Sequence, residues 1–313
     1  MDAVESKGYL CDGRILALNS YENRVYQVGI EDDDPVVAKF YRPGRWSDEQ
    51  ILEEHGFTLE LEAVEIPVIP PIIVGGRTLL EDAGFRFTLF RRQGGHAPEL
   101  EDRDTLLWLG RFIGRIHAVG AARPFRHRPA LTPADFGRGS IETLLQGRWL
   151  PPHLETAFES LAVDLMTHVD AAWARAGGFR SIRLHGDLHP GNLLWRDGPF
   201  FVDLDDCRSG PAVQDLWMLL SGARHEMSSQ LADVLEGYAQ FCDFDRRELH
   251  LVEALRSLRI MHYAAWLAWR WDDPAFKVAF PWFDSQRYWD EHVLALREQV
   301  ALMQEPPLSW QPA

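Results

Sequence analysis

Leu184-His185-Gly186-Asp187-Leu188-His189-Pro190-Gly191-Asn192-Leu193-Leu194-Trp195-Arg196-Asp197-Gly198-Pro199-Phe200-Phe201-Val202-Asp203-Leu204-Asp205-Asp206 is the stretch on which the reading of this chain turns. Asp197-Gly198 between two apolar runs is the favoured pair for a two-residue hairpin turn, because both central positions take positive φ. With those two residues as the loop, Trp195 faces Phe200 and Asn192 faces Asp203. Directly opposed side chains have Cβ atoms about 4.5–5.5 Å apart, so the Asn192 amide oxygen and the Asp203 carboxylate are expected to reach one cation together. Asp187 precedes Asn192 in a turn supplied with Gly186, Pro190 and Gly191.

Asp187, Asp203, Asp205 and Asp206 are expected to crowd. Two carboxylates about 4 Å apart repel by about 4 kcal/mol at an effective dielectric near 20, which invites a divalent cation. A few oxygen ligands suit Mg²⁺, which keeps waters and shares substrate phosphates. A base, an asparagine and an aspartate around Mg²⁺ are the parts of a phosphoryl-transfer site. Two other readings compete. The HxDxxxxN string alone is compatible with plain Asx-turn chemistry. His185, Asp187 and His189 alternate like metal ligands of a hydrolase, yet no HxxxH-type pair accompanies them, and histidines 117, 168, 225, 250 and 262 fall in helical patterns.

Outward from this stretch, the first ninety residues read as strands with one helix. Arg14 to Leu18 and Arg24 to Ile30 flank a polar turn at Asn19–Asn23, and the acidic turn Glu31–Pro35 leads into a strand at Val36–Tyr41. Alternation puts Val37, Lys39 and Tyr41 on one face. Lys39 is either an edge lysine that snorkels or a cation that holds phosphates and pairs with a helix glutamate. The helix from Ser47, with Gln50 completing a capping box, supplies that glutamate. Glu54 shares a face with Ile51, Thr58 and Leu61 and is the candidate, with Glu53 the alternative. Strands are further expected at Thr78–Leu80 and Phe85–Phe90 after Gly75-Gly76.

Past Gln93-Gly94-Gly95 the texture becomes helical, with helices expected at 104–119, 154–176, 212–222, 228–241, 246–271 and 285–303. The aromatic run Trp266, Trp269, Trp271, Phe280, Trp282, Phe283, Tyr288 and Trp289 reads chiefly as core, and alternatively as an acceptor groove with Asp272, Asp273 and Asp284.

The 313 residues carry a formal charge of −15, against the basic face that a nucleic-acid partner requires. Three scattered cysteines (Cys11, Cys207, Cys242) suggest reduced thiols in a cytosolic protein. The first residues hold no apolar signal, and no run of 18 apolar residues suggests a membrane span.

His185-Gly186-Asp187-Leu188-His189-Pro190-Gly191-Asn192, Val202-Asp203-Leu204-Asp205-Asp206 and Gly210-Pro211-Ala212-Val213-Gln214-Asp215-Leu216 resemble the aminoglycoside phosphotransferase and choline kinase superfamily. A resemblance to the bacterial stress response kinase A family extends over nearly the whole chain. It includes Leu18-Asn19-Ser20-Tyr21-Glu22-Asn23-Arg24-Val25-Tyr26, Ile51-Leu52-Glu53-Glu54-His55, Pro274-Ala275-Phe276 and Gln304-Glu305-Pro306-Pro307-Leu308. The resemblance implies an α+β, bilobal protein kinase-like fold. Residues 1–93 would form an ATP-binding lobe with a small antiparallel sheet and a helix, and residues 94–313 a mostly helical catalytic and acceptor-binding lobe. It implies Asp187 as catalytic base, Asn192 and Asp203 as Mg²⁺ ligands and Lys39 as phosphate ligand. Phe90 and Arg91 would form the hinge that meets adenine. Ser20 and nearby backbone N–H groups would cover the phosphates where a glycine-rich loop is missing.

The implied activity is ATP-dependent phosphorylation of protein serine or threonine, with autophosphorylation, in stress survival. A small-molecule alcohol kinase and a nucleotide-binding pseudokinase are the alternatives. A monomer without nucleic-acid or membrane partners is expected. Departures from ordinary protein kinases are His-Gly-Asp for His-Arg-Asp, Asp203-Leu204-Asp205 for Asp-Phe-Gly, and a gap from Asp203 to Asp215 too short for a long activation loop.

Overall fold

A computed structural model describes residues 1–310. In chain order, helix α1 (Asp2–Glu5) precedes strands β1 (Cys11–Leu18), β2 (Arg24–Ile30) and β3 (Asp33–Phe40). Helix α2 (Asp48–Ala63), strands β4 (Leu80–Asp82) and β5 (Phe85–Arg91), and helix α3 (Arg103–Gly120) follow. Next come α4 (Gly139–Gln146), entered through a π-helical turn at Ala134–Arg138, and α5 (Pro152–Ala176). Short strands β6 (Ile182–Leu184), β7 (Leu193–Trp195), β8 (Pro199–Phe201) and β9 (Arg208–Gly210) carry the quoted stretch. Helices α6 (Gln214–Trp217), α7 (Arg224–Tyr238), α8 (Val252–Arg270), α9 (Pro274–Ala279) and α10 (Gln286–Leu302) come last.

The chain forms two compact units, each discontinuous in sequence. One comprises residues 1–129, 182–209 and 233–243, and the other 130–181, 210–232 and the chain from Phe244 onward. The first unit thus runs past residues 93 and 94 to Pro129 and also takes in the quoted stretch. Phe201 donates its N–H to the Pro67 carbonyl, and Trp195 and His96 exchange backbone bonds of 2.7 and 3.2 Å.

Among the described residues the sheet of the first unit has five antiparallel strands in the order β1-β2-β3-β5-β4. One face packs Val28, Ile30, Val36, Ala38, Phe87 and Leu89 against Val4. Lys39 is on the opposite face, paired in register with Val25 on β2 and Thr88 on β5. The central position of β3 removes the snorkelling reading: Lys39 is 5% exposed. Helix α2 begins with the expected capping box, Ser47 and Gln50 each bonding the other's backbone N–H. The acidic turn is tighter than expected: Asp32 takes φ 58° and β3 already starts at Asp33. Thr78 lies before its strand, and the β4–β5 turn is made by Ala83 and Gly84, both at positive φ.

The second unit is helical. Phe158, Leu165 and Val169 of α5 are buried, as are Leu258 and Met261 of α8 and Trp289, Val293 and Leu296 of α10. The expected helix at 212–222 is only Gln214–Trp217, and the one at 246–271 opens as a 3₁₀ segment, Arg246–Leu251. The α4 helix has no counterpart among the expected ones. Of the late aromatics, Phe280, Phe283 and Trp289 are core, whereas Trp269 and Trp282 stay exposed. No helix among the described residues is long and apolar enough to cross a membrane.

Candidate active site

The hairpin that frames the site has a register one residue away from the expected one. Leu193 pairs with Phe201, Leu194 with Phe200, and Trp195 with Pro199, so the loop is Arg196-Asp197-Gly198. The reason is Pro199. A two-residue turn closes through the N–H of the residue after it, which proline lacks. Arg196 instead donates its N–H to the Gly198 carbonyl at 2.9 Å. Asn192 therefore does not oppose Asp203 across the ladder. Its carbonyl accepts the Val202 N–H.

Both side chains nevertheless line one cavity of about 300 Å³. Asn192 sits in a 3₁₀ turn, Pro190–Asn192, ahead of β7. Asp203 lies past the end of β8 in a left-handed conformation, φ 58° and ψ 64°. An extended Asp203 would follow Phe201 into the core; the left-handed kink turns it to the same side as Val202 and Leu194, which also line the cavity. A non-glycine residue held there is strained, a feature that clusters at functional sites. The Asn192 amide nitrogen donates to the Asp187 carbonyl at 2.9 Å, which leaves its oxygen as the cavity-facing group.

Lys39, Glu54 and Thr58 line the same cavity from β3 and α2. The Lys39 ammonium lies 2.8 Å from Asp205, 3.1 Å from Asp203 and 3.9 Å from Glu54. Burial pushes Lys39 toward the neutral amine, but these three carboxylates outweigh it and raise its pKa well above the usual lysine value. Burial also raises Glu54, to about 7, against the pull of Lys39. Glu54 is thus the loosest of the three partners. Glu53 is excluded from this role because it points to the backbone N–H groups of Arg126, His127 and Arg128.

Asp205, expected in the sequence among acids that crowd around a cation, instead pairs with Lys39 and Arg45, and Arg45 is the site member that the sequence reading missed. Arg45 bridges Asp205 and Asp206, and reaches Glu22 in the 19–23 turn at 3.7 Å. Burial disfavours the Asp206 carboxylate, but Arg45 and Arg208 overcome it and bring its pKa to about 2. The adjacent acids Asp205-Asp206 were visible in the sequence; nothing there marked Arg45 as their partner.

The other expected site residues fall as follows. Leu18, Asn19 and Ser20 line the cavity, and the Ser20 hydroxyl accepts the Asn23 N–H at 3.3 Å. Phe90 and Arg91 line it at the end of β5, with Phe90 paired in register to Val37. Asp187 is half-buried, its carboxylate 3.5 Å from His189 Nε2. His189 accepts the Gly191 N–H through Nδ1, and buried His185 donates from Nε2 to the Val202 carbonyl. Those roles dismantle the hydrolase reading of His185, Asp187 and His189. Among the described residues no group of three or more His, Cys, Asp or Glu side chains is set to hold a metal. Asn192 and Asp203 form a smaller donor set. The Asp203 side chain is 57% exposed. One neutral and one anionic oxygen fit a hard cation that keeps most of its water.

The phosphotransferase enzyme family model matches residues 14–252. Stress response kinase A of Escherichia coli K12 is 45% identical over 312 residues, covering 100% of this chain and 94% of the relative. The serine/threonine protein kinase RdoA of Salmonella typhimurium is 43% identical over the same shares. An amicoumacin kinase, solved in complex with AMP-PNP, Ca²⁺ and Ami, has a TM-score of 0.69 at 17% identity, covering 94% of this chain and 93% of that one. At that identity the likeness shows the protein kinase-like fold. The chain belongs to the phosphotransferase enzyme family, within the group of kinases that includes stress response kinase A.

Proposed function

We propose that this kinase transfers the γ-phosphoryl group of ATP, bound with Mg²⁺, to a serine or threonine hydroxyl of a protein, including its own chain, in the response to stress. The observation that carries the reading is the convergence of Lys39, Asn192 and Asp203 on one cavity whose wall also includes Phe90 and Arg91. Phe90 and Val37 offer the adenine an apolar surface, with Arg91 beside them at the hinge. Lys39 holds the α- and β-phosphates, Glu54 supports it, and Ser20 with its neighbouring N–H groups covers the phosphates. Asn192 and Asp203 hold the metal through their oxygens. Mg²⁺ held there would supply neutralisation of the phosphate charge. Asp187 takes the proton of the attacking hydroxyl and orients it. We assign residues 1–93 to nucleotide binding and 94–313 to catalysis and acceptor binding, a division by role rather than by compactness. The protein acts as a cytoplasmic monomer, with neither nucleic acid nor membrane as partner.

The protein acceptor is favoured by the relative called a serine/threonine protein kinase. A small-molecule alcohol is the second reading, favoured by the fold shared with the amicoumacin kinase. Purified protein with labelled Mg-ATP separates them when assayed without acceptor, with generic proteins, and with a panel of amino-alcohols, sugars and aminoglycosides. Label on the chain or on protein supports the first reading. Turnover confined to one small alcohol supports the second, and tight nucleotide binding without transfer overturns both.

A further inference from the structure

Helix α2 presents two neighbouring stripes of side chains. Ile51, Glu54, Thr58 and Leu61 form the stripe toward the sheet, and all four are buried. Gln50, Glu53, Phe57 and Glu60 form the next stripe, displaced by one residue, or about 100° around the axis. Every member of that second stripe is engaged by one short segment after α3 or by the arginine of β6. Gln50 donates to the His127 carbonyl at 3.0 Å. The Glu53 carboxylate accepts three consecutive backbone N–H groups, from Arg126, His127 and Arg128, at 2.5, 2.8 and 2.8 Å. Phe57 meets Phe125 edge to face and lies beneath the Arg183 guanidinium. Glu60 pairs with Arg123 and Arg183.

The same segment also grips the turn that carries the site's acids. Buried Arg128 donates to the backbone carbonyls of Asp205 and Cys207, and its guanidinium stacks 4.2 Å above the Trp46 ring. Two parts of the site, the helix bearing Glu54 and the turn bearing Asp203 and Asp205, are thus fastened to one strap. Charge-assisted bonds to backbone N–H groups are about twice as strong as neutral ones, and the Glu53 carboxylate accepts three of them.

We propose that residues 123–128 form a fixed clasp on α2, with Glu53 as the positioning residue that keeps Glu54 beside Lys39 and so keeps the phosphate-binding lysine in place. The inference rests on the reading of Lys39 as a phosphate ligand. It makes the adjacent glutamates a division of labour: Glu54 faces the lysine and Glu53 fixes the helix that presents it. An α2 that is clasped in this way does not swing to switch the enzyme.

The test is a double-mutant cycle in the full-length chain, read as Mg-ATP affinity by calorimetry, with amide hydrogen exchange alongside. Glu53→Gln keeps the shape but replaces one acceptor oxygen by an N–H donor facing other donors. It is expected to weaken Mg-ATP binding about tenfold, a free-energy loss typical of one coupled polar contact, and to speed exchange at 126–128 and along α2. Glu54→Gln is expected to weaken binding similarly, and the double variant no more than the worse single one. Gln50→Glu keeps the acceptor for the Ser47 N–H in the capping box and removes only the donor to the His127 carbonyl; it is expected to act in the same direction by about twofold, and serves if Glu53→Gln fails to fold. Wild-type affinity in both Glu53→Gln and Gln50→Glu, or losses that multiply in the double variant, would overturn the clasp. Wild-type affinity in Lys39→Met would instead overturn the reading of Lys39 itself, and the clasp's route to the nucleotide with it.

Discussion

The Lys39 ammonium is 2.8 Å from the Asp205 carboxylate, and both side chains are almost fully buried. That pair is closer than the contact of Lys39 with Glu54, at 3.9 Å, the partner that kinase chemistry assigns to such a lysine. Removing one member of a buried ion pair leaves the other charge uncompensated, at a cost of about 3–5 kcal/mol. Arg45 still pairs with Asp205, so Lys39→Met is expected near the lower end, about 3 kcal/mol, with a lowered melting temperature. A thermal melt of Lys39→Met identical to wild type would show that the pair is not coupled to the fold.

Gly186 explains the departure from His-Arg-Asp. It takes φ +86°, and a Cβ there would run into the Asp206 backbone carbonyl. Neither cause can be relieved by a side-chain rotation. Gly186→Ala is expected to destabilise the chain by about 1–3 kcal/mol and to lower turnover through the neighbouring Asp187. Unchanged melting and turnover in this variant would contradict the close approach of the two backbones.

Much of the first unit was legible because local chemistry decides it. The bounds of β2 match those expected, and the Ser47–Gln50 capping box starts α2 where a side chain can satisfy its free N–H groups. The hairpin was legible in kind but not in register: Asp197-Gly198 is a strong turn signal, and the missing N–H of Pro199 overrides it. Asn192 and Asp203 still reach one cavity, because the backbone of Asp203 turns left-handed, which no strand pattern announces. Arg45 and Arg128 were invisible for a different reason. Their partners lie far along the chain, so only the tertiary fold assembles the contacts. The π-helical turn Ala134–Arg138 and the α4 that follows it had no counterpart among the expected helices, and the turn holds Gly137, a poor helix former.

Asp203→Ala removes one of the two cavity oxygens that fit a divalent cation, and also a neighbour of Lys39. Binding of ATP that depends on Mg²⁺ is expected to vanish, while any affinity seen in excess chelator stays. Calorimetry with and without Mg²⁺ checks this, and equal Mg-ATP affinity in variant and wild type would remove Asp203 from the metal.

Glu248, in the second unit, gives a pH signature away from the active site. Burial pushes its carboxyl up to about 7, although it accepts the Val213 N–H at 2.9 Å. A folded-state pKa raised above the unfolded value means that the folded chain binds the extra proton between about 4.5 and 7, so stability falls as pH rises through that window. The full effect is roughly 3 kcal/mol between pH 4 and 8. Glu248→Gln keeps an acceptor for Val213 without the charge. Its melting temperature is expected to fall less than that of wild type from pH 5 to pH 8. Parallel melting curves across that range would show that the group does not titrate within it.

Phosphoryl transfer by Asp187→Asn at saturating Mg-ATP bears most directly on the claim that this cavity serves a base-assisted kinase. The asparagine cannot take the acceptor's proton, yet it preserves the turn that positions Asn192. Turnover is expected to drop roughly 10²–10⁴-fold with nucleotide affinity essentially retained. Wild-type turnover in Asp187→Asn would contradict the account.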